Sequence, residues 1–266
     1  MTQMTIGAAT HPGKRKTENE DSYDVVLPEG DTQDRKGILL ILADGMGGHA
    51  GGAVASRTAV DVVMEQYLNT PAGDVLEALR AAFQKANAAV LEKSARDRSV
   101  AGMATTLTAV VIKDDLLFHA HVGDSRAYVI DGSDMAPITE DHSYVASLVA
   151  AGAITAAEAE THPQRNLVTR AVGALPDLAI DAAGFPRPLK KDQHILLCCD
   201  GLFKVVPENE IQRIIESEKE PNGACEKLVE RANDYGGPDN ITVILARIDR
   251  VKRTPGFIRR FITPAR

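Results

Sequence analysis

Two apolar segments of this chain end on an aspartate that is followed by a glycine. In LLILADGMGG the aspartate is Asp44, and in ILLCCDGLF it is Asp200. Hard divalent cations such as Mg²⁺ and Mn²⁺ prefer carboxylate and carbonyl oxygens as ligands. A carboxylate at the end of a rigid strand, next to a glycine that lets the backbone turn and expose its carbonyl, is suited to binding such an ion.

Further acidic residues lie at the ends of predicted strands. The motifs NED, VGDSR and GGPDN supply four of them, which are Glu20, Asp21, Asp124 and Asp239. Asp beside Gly is also common in ordinary turns, so each position alone is a weak signal. Several carboxylates gathered at one point repel each other unless cations lie among them. The set as a whole therefore predicts a divalent-metal site formed by strand ends.

The glycines after Asp44 also fit a dinucleotide-binding fingerprint. GMGGHA, residues 45–50, matches G-x-G-x-x-G/A between a predicted strand and a predicted helix. The charge of Asp44 would face the pyrophosphate, however, and a second helix follows where the nucleotide-binding unit needs a strand. A nicotinamide or flavin enzyme is therefore the less favoured alternative.

Hydrophobic periodicity predicts groups of strands separated by pairs of helices. Apolar residues at spacings of three and four predict helices at 53–68 and 74–96, and further helices are expected at 141–160, 207–217 and 222–233. Predicted strands lie at 4–9, 22–27, 37–43, 105–112, 179–185, 194–199 and 241–249, and a β-rich run at 116–130 is expected to break at Asp124. Consecutive helices between groups of strands predict an α+β fold in which helix pairs cover a β-sandwich.

Composition narrows the class of protein. A chain of 266 residues with 44% hydrophobic residues can form one sizeable core. No apolar run approaches the roughly 20 residues that span a bilayer, and the first residues lack the apolar stretch of a signal peptide. Cys198 and Cys199 are adjacent, so they are expected to be core side chains on opposite faces of a strand in a reducing compartment. We expect a cytoplasmic protein.

Charge is distributed unevenly along the chain. Residues 250–266 carry six Arg or Lys and no acidic residue, which leaves 24 basic and 37 acidic residues in 1–249, a formal charge of −13. So acidic a body would repel phosphates, which disfavours nucleic acid as a partner. The basic tail could contact an acidic partner or a membrane surface, or it could be a solvated extension.

Taken in chain order, these motifs resemble the metal-dependent protein phosphatases of type 2C (PPM), bacterial branch. The matching segments are NED, ADGMGGHAGG, GMATTLTA, HVGDSRAY, HPQRN, LLCCDGL and GGPDNITV, which lie within residues 4–249. The resemblance implies two antiparallel sheets flanked by pairs of antiparallel helices, a four-layer αββα sandwich. It also implies hydrolysis of phosphoserine and phosphothreonine in proteins that a Ser/Thr kinase has phosphorylated, with two or three Mn²⁺ or Mg²⁺ ions.

The resemblance assigns a role to each acidic residue. Asp44 would bridge two ions, the Gly45 carbonyl would help to hold one of them, and Asp200 and Asp239 would complete the other. Glu20 would position metal-bound water. The implied chemistry is in-line attack on phosphorus by a hydroxide that bridges two cations about 4 Å apart.

A third ion is implied by the bacterial relatives. The resemblance places it on Asp124, Asp200 and the backbone near Asn166. Asp21 would lie behind Glu20 and support it.

Two basic residues are candidates for gripping the substrate phosphate. Relatives carry an Arg four residues before the Glu of NED, and this chain has Lys16 there, with Arg15 beside it. If residues 15–21 are extended, Lys16 and Glu20 share one face and Arg15 points to the other. Lys16 is therefore the predicted phosphate-binding residue, and Arg15 is the alternative. The lysine ammonium offers a single point charge, whereas the guanidinium of the relatives' arginine can donate two parallel hydrogen bonds to phosphate.

His49 is a candidate general acid for the leaving alkoxide. It lies in the glycine-rich segment after Asp44. Eukaryotic relatives carry a His directly after the DG pair, where this chain has Met46, so the role does not transfer directly.

Residues 136–170 are expected to form a helical flap within a catalytic domain at 1–249. Their Ala and Gly content predicts light packing on the body, and the resemblance implies a part in choosing protein substrates. A binding-only pseudo-phosphatase is the alternative function, although the predicted metal-binding aspartates are all present.

Overall fold

Two five-stranded antiparallel sheets form the centre of the protein. The computed structural model describes residues 2–47, 51–71, 73–185 and 187–253. In spatial order, sheet 1 contains β1 (Gln3–His11), β12 (Ile241–Arg250), β11 (His194–Cys198), β8 (Arg126–Asp131) and β9 (Asp134–Pro137). Sheet 2 contains β10 (Asp181–Gly184), β7 (Leu116–Val122), β6 (Leu107–Lys113), β3 (Ile38–Ala43) and β2 (Ser22–Val26). A two-stranded ribbon joins β4 (Gly45–Met46) to β5 (Ala104–Thr105).

Helices cover both outer faces of the sandwich. The described helices are α1 (Gly30–Lys36), α2 (Gly51–Asn69), α3 (Val75–Arg96), α4 (Tyr144–Ala150), α5 (Ala156–Thr161), α6 (Asp200–Phe203), α7 (Glu208–Ser217) and α8 (Pro221–Asp234). Helices α2 and α3 pack on sheet 2, and α7 and α8 pack on sheet 1. No helix in the described ranges is both long and apolar enough to cross a membrane.

Strand β3 shows why the central strands are apolar at every position. Leu39 and Ile41 pack against the helix layer, whereas Leu40 and Leu42 pack between the two sheets. Because both faces of the strand are covered, alternation of polar and apolar residues is absent. Cys198 and Cys199 likewise contribute to different apolar clusters, one outside and one inside the sandwich. The predicted α+β sandwich with flanking helix pairs is confirmed.

Two predicted elements differ in detail. The β-rich run at 116–130 is two strands, β7 and β8, which belong to different sheets and are separated by the turn that contains Asp124. The helical segment at 141–160 is two short helices, because Gly152 adopts a φ of +69° and Thr155 then begins α5 with a capping box. Helix α1 has no counterpart in the sequence prediction.

Candidate active site

The strand register brings the acidic motifs to one end of the sandwich. In sheet 2, Ser22 pairs with Ala43, so the NED motif lies beside Asp44. In sheet 1, Cys198 pairs with Val243 and also with Arg126. The segments that carry the other three aspartates therefore meet at this end, at positions Asp124, Asp200 and Asp239.

Asp44 lies at the centre of this group. Its backbone N–H donates to the Thr106 hydroxyl (2.9 Å), and its carbonyl accepts from the Thr106 N–H and the Thr105 hydroxyl (2.9 Å each). Burial raises the pKa of Asp44 well above its usual range. The repulsion that adds to this effect comes from four carboxylates, those of Asp21, Asp200, Asp124 and Asp239. Five carboxylates this close together repel one another and destabilise the fold unless positive charge lies among them.

Asn240 fixes the loop that carries Glu20. Its side-chain oxygen accepts from the Glu20 N–H (2.8 Å), and its side-chain nitrogen donates to the carbonyls of Pro12 (3.0 Å) and Glu18 (2.9 Å). The Asn240 side chain is buried and follows Asp239 directly. One side chain thus ties the NED loop of sheet 2 to the strand end of sheet 1.

The positions after Asp44 and Asp200 must be glycine, because another backbone segment lies too close for a side chain to fit. A Cβ at Gly45 would clash with the backbone carbonyls of Gly52 and Glu20. A Cβ at Gly201 would clash with the carbonyl of Asn240. The Asp–Gly pairs therefore let the acid-bearing segments pack against one another, which explains why the motif occurs twice.

Two buried carboxylate oxygens lack a hydrogen-bond donor among the described residues. They are Oε1 of Glu20 and Oδ1 of Asp21. The other oxygen of Asp21 accepts from the Thr242 hydroxyl (2.6 Å), and burial raises the pKa of Asp21 to about 7. Buried oxygens without donors, in a set made of carboxylates and backbone carbonyls, fit hard divalent cations such as Mn²⁺ or Mg²⁺.

Cys199 lies beside these carboxylates but is not suited to be a ligand. One carboxylate oxygen each of Asp21 and Asp44 and the Cys199 sulfur all lie within 4.8 Å of one another. Burial raises the pKa of the Cys199 thiol well above its usual value, and two backbone groups already engage the sulfur. The thiol donates to the Asn240 carbonyl (3.3 Å) and accepts from the Thr242 N–H (3.0 Å), which makes it part of the scaffold.

Lys16 reaches the carboxylates, whereas Arg15 forms no ion pair with any residue that the structure describes. The Lys16 ammonium lies 2.6 Å from Oδ1 of Asp239. Burial works against its charge, but the bond to Asp239 and the charges of Glu20 and Asp44 outweigh it and raise the pKa of Lys16. Arg15 is exposed, and its backbone N–H donates to the Gly237 carbonyl (3.2 Å).

Lys204 is a member of the site that the sequence analysis missed. Its ammonium contacts Oδ2 of Asp200 (2.7 Å), Oδ2 of Asp124 (3.1 Å) and the side-chain oxygen of Asn166 (3.4 Å). Burial works against its charge, but Asp200 and Asp124 outweigh it and raise the pKa of Lys204. The spacing of four residues from Asp200 across a short helix was the available signal.

The two remaining predicted features are His49 and the flap. His49 lies outside the described residues. The flap includes α4 and α5, which contain no buried residue, and its ends are joined by a bridge between Ser143 and Val168. The two helices are lightly packed, whereas Thr139, His142 and Ser143 before them are buried, and the flap role of the segment stays a prediction.

Comparison with known proteins gives the family. The model of the protein phosphatase 2C family matches residues 13–237. A serine/threonine phosphatase (stp) of Listeria monocytogenes is 34% identical over 92% of this chain and 96% of its own length. The crystal structure of the Mycobacterium tuberculosis serine/threonine phosphatase PstP/Ppp superposes with a TM-score of 0.82, 34% identity and coverage of 93% of this chain and 99% of that chain.

A solved structure also shows metal in a relative. The catalytic domain of the phosphatase PstP, in complex with two manganese ions, matches with a TM-score of 0.80 and 32% identity over 93% of this chain and 99% of that one. The acidic residues at the strand ends, the β-sandwich and the similarity to these relatives all indicate the same family. The chain belongs to the protein phosphatase 2C family and is a protein-serine/threonine phosphatase.

Proposed function

We propose that this phosphatase removes phosphate from phosphoserine and phosphothreonine in proteins with two divalent cations, Mn²⁺ or Mg²⁺, held at the end of the sandwich. The observation that carries the proposal is the convergence on Asp44 of carboxylates from both sheets. Asp44 and the Gly45 carbonyl would hold one ion, and Asp44, Asp200 and Asp239 the other. When bound, paired cations lower the pKa of a water molecule and neutralise charge that gathers on the phosphoryl oxygens.

Residues of the NED loop would orient water and substrate. Glu20 is held through its backbone by Asn240, which keeps the residue at the site, and its carboxylate would accept a proton from the attacking water. Lys16 is placed to bind a phosphoryl oxygen, since its ammonium already lies among the carboxylates. His49 remains a proposed general acid, and Arg15 the alternative phosphate ligand.

A cysteine nucleophile is disfavoured by burial. Cys198, Cys199 and Cys225 are all buried, and burial raises the pKa of Cys198 and Cys225 to about 12. A protonated, inaccessible thiol cannot attack phosphorus. Direct attack by water is therefore the pathway that the chain's own residues support. Three buried free thiols also support the proposal of a reducing, cytoplasmic compartment.

The chain ends and the flap complete the proposal. We take residues 1–249 as the catalytic domain and 136–170 as a flap that selects protein substrates of an opposing kinase. In the basic segment 250–266, the described residues Lys252 and Arg253 lie near the acidic turn between β6 and β7, 3.4 Å from Asp114 and 3.9 Å from Asp115 respectively. The remaining tail, at 254–266, lies outside the described residues, and we propose an acidic partner or membrane surface for it.

Turnover of para-nitrophenyl phosphate tests the central proposal. Hydrolysis should require Mn²⁺ or Mg²⁺, stop on chelation and be lost in Asp200→Asn. The matched control is Asp61→Asn, which removes an exposed ion pair with Arg57 on α2 and should leave the rate unchanged. Metal-independent hydrolysis, or full activity of Asp200→Asn, would contradict the proposed centre. No turnover of this compound or of a phosphopeptide would favour the binding-only alternative.

A further inference from the structure

The ammonium of Lys204 occupies the point where three predicted ligands of a third metal ion converge. Lys204 directly follows α6 and lies four residues after Asp200. Its nitrogen lies 2.7 Å from Asp200, 3.1 Å from Asp124 and 3.4 Å from Asn166, in each case from a side-chain oxygen. The resemblance assigned the third ion to Asp124, Asp200 and the backbone near Asn166, so the ammonium holds both of the assigned carboxylates and the side chain of the third residue.

The number of donors equals the number of acceptors. An ammonium group has three N–H donors and no acceptor. Here each donor has one oxygen, and the three oxygens come from the β7–β8 turn, the start of α6 and the flap. A lysine with a complete set of partners has no unsatisfied donor that would draw it back to solvent.

The contact with Asp124 is partly buried, whereas Asn166 is exposed. The side-chain exposure is 5% for Asp124, 18% for Asp200 and 26% for Lys204. Shielding strengthens the attraction between the ammonium and the two carboxylates relative to an exposed ion pair. Removing the lysine would leave Asp124 and Asp200 facing each other without a counter-charge.

A divalent cation cannot share this position with the lysine. An ion bound to Oδ2 of Asp124 and Oδ2 of Asp200 would lie within van der Waals contact of Nζ and would be repelled by its charge. The donor set around Lys204 therefore does not fit a third metal ion in this chain.

We propose that Lys204 is a resident cation that takes the place of the third metal ion, so that the enzyme binds two ions and its flap is tied to the site by a side chain. The inference rests on the proposed two-ion centre. Through Asn166, the lysine links the flap to Asp200 without any dependence on a third ion. The position of the flap therefore does not depend on the metal concentration.

Metal stoichiometry tests the inference. Mn²⁺ bound per chain is measured by equilibrium dialysis and elemental analysis at a free concentration that saturates the unaltered protein. The unaltered protein should bind two ions, and Lys204→Ala, which frees the carboxylates and leaves room for water ligands, should bind three. Lys204→Arg keeps the charge and should stay at two, as should Lys190→Ala, which removes a surface lysine near Asp131.

Three results would overturn the inference: three ions in the unaltered protein, two in Lys204→Ala, or three in Lys204→Arg. A melting curve establishes that each variant is folded. In crystals soaked with Mn²⁺, the anomalous signal should show a peak between Asp124 and Asp200 in Lys204→Ala alone. Failure of the proposed function would be seen as absent hydrolysis in a protein that still binds metal ions. The number of bound ions would then still decide whether Lys204 replaces the third ion.

Discussion

Replacing Asn240 with alanine tests whether the NED loop owes its position to one side chain. The buried amide of Asn240 makes three hydrogen bonds, to the Glu20 N–H and to the carbonyls of Pro12 and Glu18. Alanine removes all three while leaving the Asn240 backbone contacts in place. The loop then keeps its sequence, its charges and the bond from the Thr242 hydroxyl to Asp21, but it loses its three hydrogen bonds to Asn240.

The expected cost follows from the number of bonds. A typical intramolecular hydrogen bond contributes about 1 kcal/mol, so Asn240→Ala should lower the free energy of unfolding by about 3 kcal/mol. For a protein of this size that loss corresponds to a fall in Tm of roughly 6–10 °C. A displacement of about 1 Å in a catalytic group can reduce the rate by about 10²-fold, and Glu20 is the group displaced here. We expect kcat/KM to fall by about that factor.

Asn87 offers a matched control. It is also a buried asparagine with three hydrogen bonds: it donates to the carbonyls of Leu175 (2.9 Å) and Pro176 (3.2 Å) and accepts from the Gly173 N–H (2.7 Å). None of its partners is a proposed site residue. Asn87→Ala should therefore lose similar stability and keep its kcat/KM.

The assays are thermal unfolding and Mn²⁺-dependent hydrolysis of para-nitrophenyl phosphate, the latter well below the Tm of either variant. Equal stability losses with a rate loss only in Asn240→Ala would support the argument. If the two variants lost stability equally and hydrolysed equally, the proposed positioning of Glu20 by Asn240 would be refuted.

Three further predictions concern substrate binding, selectivity and pH. Lys16→Ala should raise KM for a phosphopeptide by roughly 10-fold, the value of one charge-assisted hydrogen bond, and by more than Arg15→Ala does; the reverse order would show that Arg15 grips the phosphate. Exchange of residues 136–170 for a relative's flap should change the preference among phosphopeptides with little effect on para-nitrophenyl phosphate, and equal loss on both would count against a selective flap. Burial lowers the pKa of His119 to about 4, so the unfolded chain binds a proton that the folded protein does not between about pH 6.5 and 4. Stability should therefore fall on acidification through that window, by up to about 1.4 kcal/mol per pH unit for this group, and His119→Leu should show a shallower fall in a pH series of unfolding curves.

Local sequence was sufficient for most of the secondary structure and for naming the acidic residues that meet at one end of the sandwich, whose roles stay predictions. Central strands such as β3 are apolar at every position because they are covered on both faces, and the helix stripes of α2 and α3 face one core. The repeated Asp–Gly pairs are visible in the sequence, and their physical reason is that each glycine leaves room for a neighbouring backbone segment. The order of motifs along the chain then identified the family.

Partners across the two sheets could not be predicted in the same way. The side chain of Asn240 acts on residues more than 200 positions earlier, and nothing in the segment PDN indicates which of its polar groups would do so. The contact of Lys204 with Asp124 and Asn166 likewise depends on how the flap and the β7–β8 turn meet, which is a tertiary property. The split of the run at 116–130 between two sheets has the same cause.

The arrangement of sheet 1 also affects how the enzyme is made. β1 lies at an edge of that sheet, and its neighbour there is β12, the last strand of the described chain. During synthesis the first strand therefore cannot pair with β12 until residues 241–250 have left the ribosome. Asp239 and Asn240 directly precede that strand, so the proposed metal centre cannot form, and the nascent chain cannot act on proteins around the ribosome, before β12 has been made.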